Sequence, residues 1–282
     1  MTGGGMFDSS SFLTGFVVIL TLALITWCVS LVKLDVSIVD SLWPLLFLAG
    51  AASYALTVPQ SGPRTIFVLV LVGLWALRLA GYLTWRNWGE SEDRRYQEIR
   101  HRNEPRFALK SLYLIFGLQG TLAWIISVPL LAAIAAPRQV AALDYAGVAL
   151  WAVGFGFESV ADWQLARFKS VPANRGQVMD QGIWRYTRHP NYFGDCCIWW
   201  GFYLIAFAAG GWWSFVGPIL MSFLLLRVSG VALLEKDISE RRPAYRDYIM
   251  RTNAFFPGPP TRSADGIAEA RDGKTHSYGR GL

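Results

Sequence analysis

The chain has 282 residues, of which 53% are apolar and 15% aromatic, with thirteen tryptophans and a formal net charge of +6. That much apolar and aromatic surface exceeds what a soluble domain of this length carries, so a soluble globular protein is excluded. Basic loops beside anionic lipid account for the positive charge, and nucleic-acid binding is not expected. Seven apolar stretches follow in order: about Phe12 to Val32, Val36 to Val58, Thr65 to Trp85, Leu109 to Ala135, Val140 to Arg167, Tyr192 to Ala209, and Trp212 to Leu234. Each is close to the roughly 20 residues that cross about 30 Å of hydrocarbon as a helix. The expectation is an all-α polytopic membrane protein of about seven transmembrane helices. The first stretch is longer than a signal core and has no basic residue ahead of it, so it is expected to be retained.

Lysine and arginine placement gives the orientation, because cytoplasmic loops are enriched in both. Arg86 to Lys110 holds seven, Arg167 to Arg188 holds five and the chain after Leu234 holds nine. The intervening loops contain Arg64, Arg138 or none. This places the N-terminus outside and the C-terminus in the cytoplasm. Residues 1–11 and 258–282 lack apolar periodicity and are expected to be disordered, leaving 12–257 as one membrane domain. The charged segment WRNWGESEDRRYQEIRHRNEPRF reads as a solvated amphipathic hairpin on the cytoplasmic face. Trp199, Trp200, Trp212 and Trp213 read as interfacial belt residues. Cys28, Cys196 and Cys197 have no ligand or redox spacing, so neither a metal site nor a disulfide is expected.

Five residues break the apolar pattern inside the expected spans: Asp40, Arg78, Glu158, Asp162 and Arg227. Ionisable groups at that depth are costly and mark functional sites. Glu158 and Asp162 are four apart, and Lys169 lies seven further, near one helical stripe. Arg185, Arg188, His189, Asn191 and Asp195 crowd the mouth of the sixth span. Glu235 follows the seventh at the same cytoplasmic end. Such a set offers cations for phosphates, Asn and Asp for hydroxyls or amides, and Tyr186 and Tyr192 for ring stacking, which suits a nucleotide-like cofactor. With no GxGxxG after a strand and no GxxxxGK[ST], that cofactor has to be held between helices.

The runs GIWRYTRHPNYFGD and EKDISERRPAYRDYIMRTNAFFP resemble the C-terminal module of the steroid 5α-reductase superfamily. DVSIVDSLW, LRLAGYLTWRNWGESEDRRYQ and SGVALLEK resemble its bacterial branch, often labelled a domain of unknown function. The resemblance spans about Asp35 to Pro257 and implies a seven-helix bacterial inner-membrane protein that takes NADPH from the cytoplasm. It implies hydride delivery to the activated C=C bond of a lipophilic enone such as a 3-oxo-Δ4 steroid, drawn from membrane lipid. The family's cofactor residues match Glu158 (where the family has Asn), Asp162, Lys169 (family Arg), Asn191, Tyr192 and Asp195. Arg78 and Tyr82 match an Arg and a Tyr four apart, and Arg227, Glu235 and Tyr245 match across a gap; Arg188 and His189, from the polar cluster itself, are expected at the cofactor as well. On the substrate side, the family's paired Glu and Tyr have Asp40 as the available acid and Trp75 at the Tyr position. Tyr82 or Tyr54 then serves as phenol donor.

Two rival readings fit the same residues. RHPNY also occurs in isoprenylcysteine carboxyl methyltransferases, so an S-adenosylmethionine-dependent membrane methyltransferase is the alternative reading. A non-enzymatic membrane scaffold, in which the polar residues simply pair, is the third.

Overall fold

The computed structural model describes residues 7–228, 230, 231, 235 and 243–261. Its regular elements are helices, with no strand among the described residues. In order they are α1 (Ser9–Lys33), α2 (Ile38–Thr57), α3 (Thr65–Asn87), α4 (Arg94–Asn103), α5 (Phe107–Ala135), α6 (Ala142–Ser170), α7 (Pro190–Ala208), α8 (Trp212–Val228) and α9 (Tyr245–Arg251). Four of them, α1, α2, α3 and α5, are long and apolar enough to cross a membrane. Helices α6 to α8 form over the remaining expected segments, α8 as a shorter apolar helix. Residues 229 and 232–234 of the expected last span lie outside the described residues, as do 1–6 and 262–282 of the chain ends.

Local chemistry sets the helix boundaries. Asp8 opens α1 by accepting from the Ser10 and Ser11 amides at 3.1 and 3.2 Å, which satisfies donors that a helix start leaves over. Leu34 closes it in the left-handed region at φ 57°. Asp35 then accepts from the Ser37 amide at 2.8 Å and turns the chain into α2. Pro44 within α2 has no amide proton, so the carbonyl of Asp40 loses its intrahelical donor. Helix α5 contains a π turn at Leu112–Gly117.

The chain divides into two compact units: Met1–Ala152 with Cys197–Met221, and Val153–Cys196 with Ser222–Leu282. In the first, Phe47, Trp75 and Trp199 are fully buried, with ring centroids 4.5 to 5.6 Å apart. Trp199 is therefore core and not belt. On α7 it shares a stripe with Ile198, Phe202, Ile205 and Ala206, all buried, whereas Trp212 is exposed as expected. The segment read as a solvated hairpin is also anchored: Tyr96 and Phe107 are buried beside Val36, Val39 and Phe116. Before α3, Arg64 binds Asp144 through two bonds of 2.7 Å, with side chains 0% and 2% exposed.

In the second unit, α6 and α7 meet backbone to backbone. A Cβ added to Gly194 would lie 2.5 Å from the Gly154 carbonyl oxygen and 2.6 Å from the Glu158 nitrogen. In the first unit Gly201 meets Gly147 in the same way, its Cβ position 2.8 Å from the Gly147 oxygen. Small residues permit such close approach of membrane helices. Both helices repeat the glycine after seven residues.

Candidate functional site

In the second unit the segment after α6 is tied to the chain's C-terminal segment. The indole of Trp184 donates to the Ala161 carbonyl at 3.1 Å, and the Tyr248 hydroxyl donates to the Trp184 carbonyl. Thr187, fully buried, donates to the Phe255 carbonyl at 2.8 Å, and the Arg188 amide to that of Asn253 at 2.9 Å. Arg188 grips Glu235 at both carboxylate oxygens, at 2.7 and 2.9 Å. Its remaining terminal nitrogen donates to the carbonyls of Ile249 (3.1 Å) and Thr252. These bonds use four of its five donors, so Arg188 is spent within the chain, positioning the RHPNY segment. His189 Nε2 lies 2.9 Å from Glu235 Oε1, and the His189 ring stacks on Tyr192 with centroids 5.6 Å apart and planes 3° off parallel.

The electrostatics follow from this packing. Burial alone would raise the Glu235 carboxyl. Hydrogen bonds from His189 and Arg188, together with the Arg188 charge, outweigh it and hold the group at about 2. Burial and the Glu235 charge push the Tyr245 hydroxyl up to about 12.

The Gly194 contact brings the expected cofactor positions together. Glu158 supplies the nitrogen against which Gly194 packs, and Asp162 lies one turn along α6. Asn191 and Asp195 flank Gly194 on α7. Glu158, Asp162 and Asp195 are all buried. Lys169 is exposed near the end of α6, and Arg227 is exposed near the end of α8.

In the first unit, Asp40 is held by residues that the sequence did not assign to it. Arg95 reaches Asp40 Oδ2 at 2.7 Å, and the Tyr96 hydroxyl donates to Asp40 Oδ1 at 2.6 Å. Gln119 donates to the Tyr96 oxygen at 3.2 Å. Beside them Glu92 accepts from Arg100 at 2.7 and 2.8 Å and from the Val36 amide at 2.9 Å. Burial, and then the Asp40 charge, raise the Tyr96 hydroxyl well above its ordinary range. Tyr54, expected as a donor, is fully buried, its oxygen 2.7 Å from Ser127 Oγ. Tyr82 lies partly exposed on α3, one turn beyond the partly exposed Arg78.

Residues 26–252 match DUF1295, a protein family of unknown function. The chain belongs to this family. The family is linked to steroid 5α-reductase-like proteins, and the matched range contains Asp40, Tyr96, the α6 and α7 polar positions and Glu235. An uncharacterized protein of Schizosaccharomyces pombe is 26% identical over 288 residues, covering 89% of this chain and 81% of that protein. No solved structure matches the chain.

Proposed function

We propose that the protein is an NADPH-dependent reductase of the activated C=C bond of a lipophilic enone such as a 3-oxo-Δ4 steroid. It would act in a bacterial inner membrane with its cofactor site facing the cytoplasm. The observation that carries this reading is the backbone contact at Gly194, which gathers Glu158, Asp162, Asn191 and Asp195 within neighbouring turns of two helices. These side chains fit the hydroxyl and carboxamide groups of a dinucleotide. Tyr192, fixed by its stack on His189, presents an aromatic face. Lys169, exposed near the end of α6, is the cation assigned to a phosphate, whereas Arg188 holds the segment in place. When bound, NADPH supplies the hydride that adds to the β-carbon of the enone.

Hydride addition at the β-carbon moves negative charge onto the carbonyl oxygen, and a donor aimed there lowers the barrier. That donor is Tyr96 in this proposal, with Asp40 orienting it. Tyr96 has a single phenolic proton, so a substrate carbonyl competes with Asp40 for it while Arg95 keeps the carboxylate satisfied. The α-carbon then takes its proton from water or a side chain, giving the saturated ketone.

Titrating the detergent-purified protein with NADPH, NADH and S-adenosylmethionine while following thermal unfolding tests the reading, because a ligand of the folded state raises Tm. Stabilisation by NADPH that vanishes in Asn191→Ala is expected. Stabilisation by S-adenosylmethionine alone would move the chain to the methyltransferases. No response from a folded sample would leave a scaffold.

A further inference from the structure

Tyr96 takes part in two hydrogen bonds that run in one direction. Its hydroxyl donates to Asp40 Oδ1 at 2.6 Å, and its oxygen receives the Gln119 amide at 3.2 Å. The direction follows from the proton count. A carboxylate only accepts and a phenol has one proton, so with that proton on Asp40 the Tyr96 oxygen can only accept. Gln119 therefore presents its NH2 and not its carbonyl oxygen, which fixes an amide orientation that shape alone leaves open. Arg95 completes the line at Asp40 Oδ2, 2.7 Å away. The network joins α2, α4 and α5 within the first unit.

The backbone of α5 brings Gln119 to this place. Phe107, Ser111 and Ile115 are buried four residues apart. An unbroken α-helix would continue their stripe to Gln119 and press its amide into the packed face. The π turn at Leu112–Gly117 interrupts that register, with the Leu118 amide donating to the Tyr113 carbonyl five residues back. Gly120 takes the packed position instead, where an added Cβ would lie 3.0 Å from Leu20 and 3.6 Å from Ala23 of α1. Gln119 is left half-buried between Gly120 and the 53% exposed Leu118. Turns of this kind recur at functional sites. Docking of α4 does not require the amide, since Tyr96 and Phe107 already pack in one apolar cluster with Val36, Val39 and Phe116.

We propose that Gln119 is a positioning residue for the reductive step, holding the Tyr96 oxygen and strengthening its O–H as donor to the enone oxygen. This rests on the proposal above that Tyr96 is that donor. Hydrogen bonds in a chain polarise one another, so an N–H delivered to the phenol oxygen makes its proton a better donor. The same bond keeps the oxygen in place when the hydroxyl turns from Asp40 to the substrate and its link to the carboxylate is lost. Gln119 is assigned no contact with substrate or cofactor, so its effect passes through the Tyr96 hydroxyl.

A double-mutant cycle on the whole chain in detergent tests this, with NADPH, and with progesterone and a straight-chain alkenone as the enone probes. Gln119→Met keeps the side-chain length and removes the donor. It should lower kcat about tenfold with KM little changed, the pattern of an interaction made in the transition state. In the Tyr96→Phe background the same substitution should change kcat by less than about twofold, because the hydroxyl it acts on is gone. Gln119→Glu has the same shape but only accepts when ionised, and should be as slow as Gln119→Met or slower. An unchanged kcat in folded Gln119→Met or Gln119→Glu would overturn the inference and leave the reductase proposal standing. Equal losses in the two backgrounds would do the same, since the effect would then not pass through Tyr96. Absence of NADPH-dependent reduction of either enone by the folded wild type would overturn the reductase proposal and this inference with it. Should Gln119→Met not fold, Gln119→Glu takes its place in the cycle.

Discussion

Arg64 in the first unit and Arg188 in the second both hold a carboxylate by two guanidinium nitrogens and backbone carbonyls besides. The Arg64 pair is sealed, with Asp144 also accepting from the Ala141 amide at 2.8 Å and both side chains at most 2% exposed. The Arg188 pair is more open, since Glu235 keeps 18% of its side-chain surface and shares an oxygen with His189. Burial of an ion pair therefore does not itself mark a functional site. The first pair locks the start of α3 to the first turn of α6. The second aligns a segment whose next residues carry the candidate cofactor positions.

Breaking the sealed pair should have the largest effect. Asp144→Ala leaves a buried, uncompensated guanidinium and should cost about 3–5 kcal/mol, read as a loss of thermal or denaturant stability in detergent. The double variant Arg64→Met with Asp144→Leu should recover most of that loss, because an apolar pair pays no desolvation. A double variant as unstable as the single one would show that Arg64 contributes more than neutralisation of Asp144, through its bonds to the Arg138 and Gln139 carbonyls.

The open pair should reveal itself through pH. The Glu235 carboxyl is held at about 2 when folded, below its ordinary value. Its contribution is then complete above the unfolded value of about 4.3 and fades as pH falls toward 2. Solvent screening of this half-buried group holds its contribution below the roughly 3 kcal/mol that the full difference would give. Unfolding midpoints measured across this window should fall steeply for the wild type and more shallowly for Glu235→Gln, which has no carboxylate to protonate. Equal slopes would assign the acid sensitivity to other carboxylates.

Gly194→Ala tests the close approach within the second unit. The new methyl lies 2.5 Å from the Gly154 oxygen, and overpacking of this kind costs about 1–3 kcal/mol. Gly156→Ala has open space and should gain up to about 1 kcal/mol from helix propensity. If the polar positions of α6 and α7 form the cofactor site, only the first variant should also lose the NADPH response.

Helices were legible in the sequence because apolar runs of span length report on backbone hydrogen bonding that has no other outlet in lipid. RHPNY was legible because its charges sit beside an uncharged run. Pairing across long separations left no comparable trace. Asp144 is 80 residues from Arg64, and Tyr96 is 56 from Asp40. Arg64 registered only as the lone basic residue of an outer loop. Tyr96 stood in a charged segment whose composition reads as solvated, and its burial is created by Val36 in the turn before α2, Val39 of α2 and Phe116 of α5. Trp199 was misread for a similar reason: hydropathy places a tryptophan in a span without saying which face of the helix meets the core.

Tyr96→Phe separates a latch from a catalytic donor at the smallest energetic cost. The substitution removes one hydroxyl and leaves Asp40 with Arg95, so stability should fall by only about 1 kcal/mol. A residue that merely docks α4 would show this loss and no more, with turnover of an enone unchanged at temperatures where the variant is folded. A donor to the developing oxyanion would instead lower kcat by about 10²–10³-fold with KM little altered, the signature of an interaction made in the transition state. Substrate reduction followed by NADPH consumption distinguishes the two. Asp40→Asn sharpens the result, because it keeps an acceptor for the phenol while removing the charge that holds Arg95. A turnover loss in Tyr96→Phe that is absent in Asp40→Asn would leave the carboxylate with the role of anchoring Arg95 and α4.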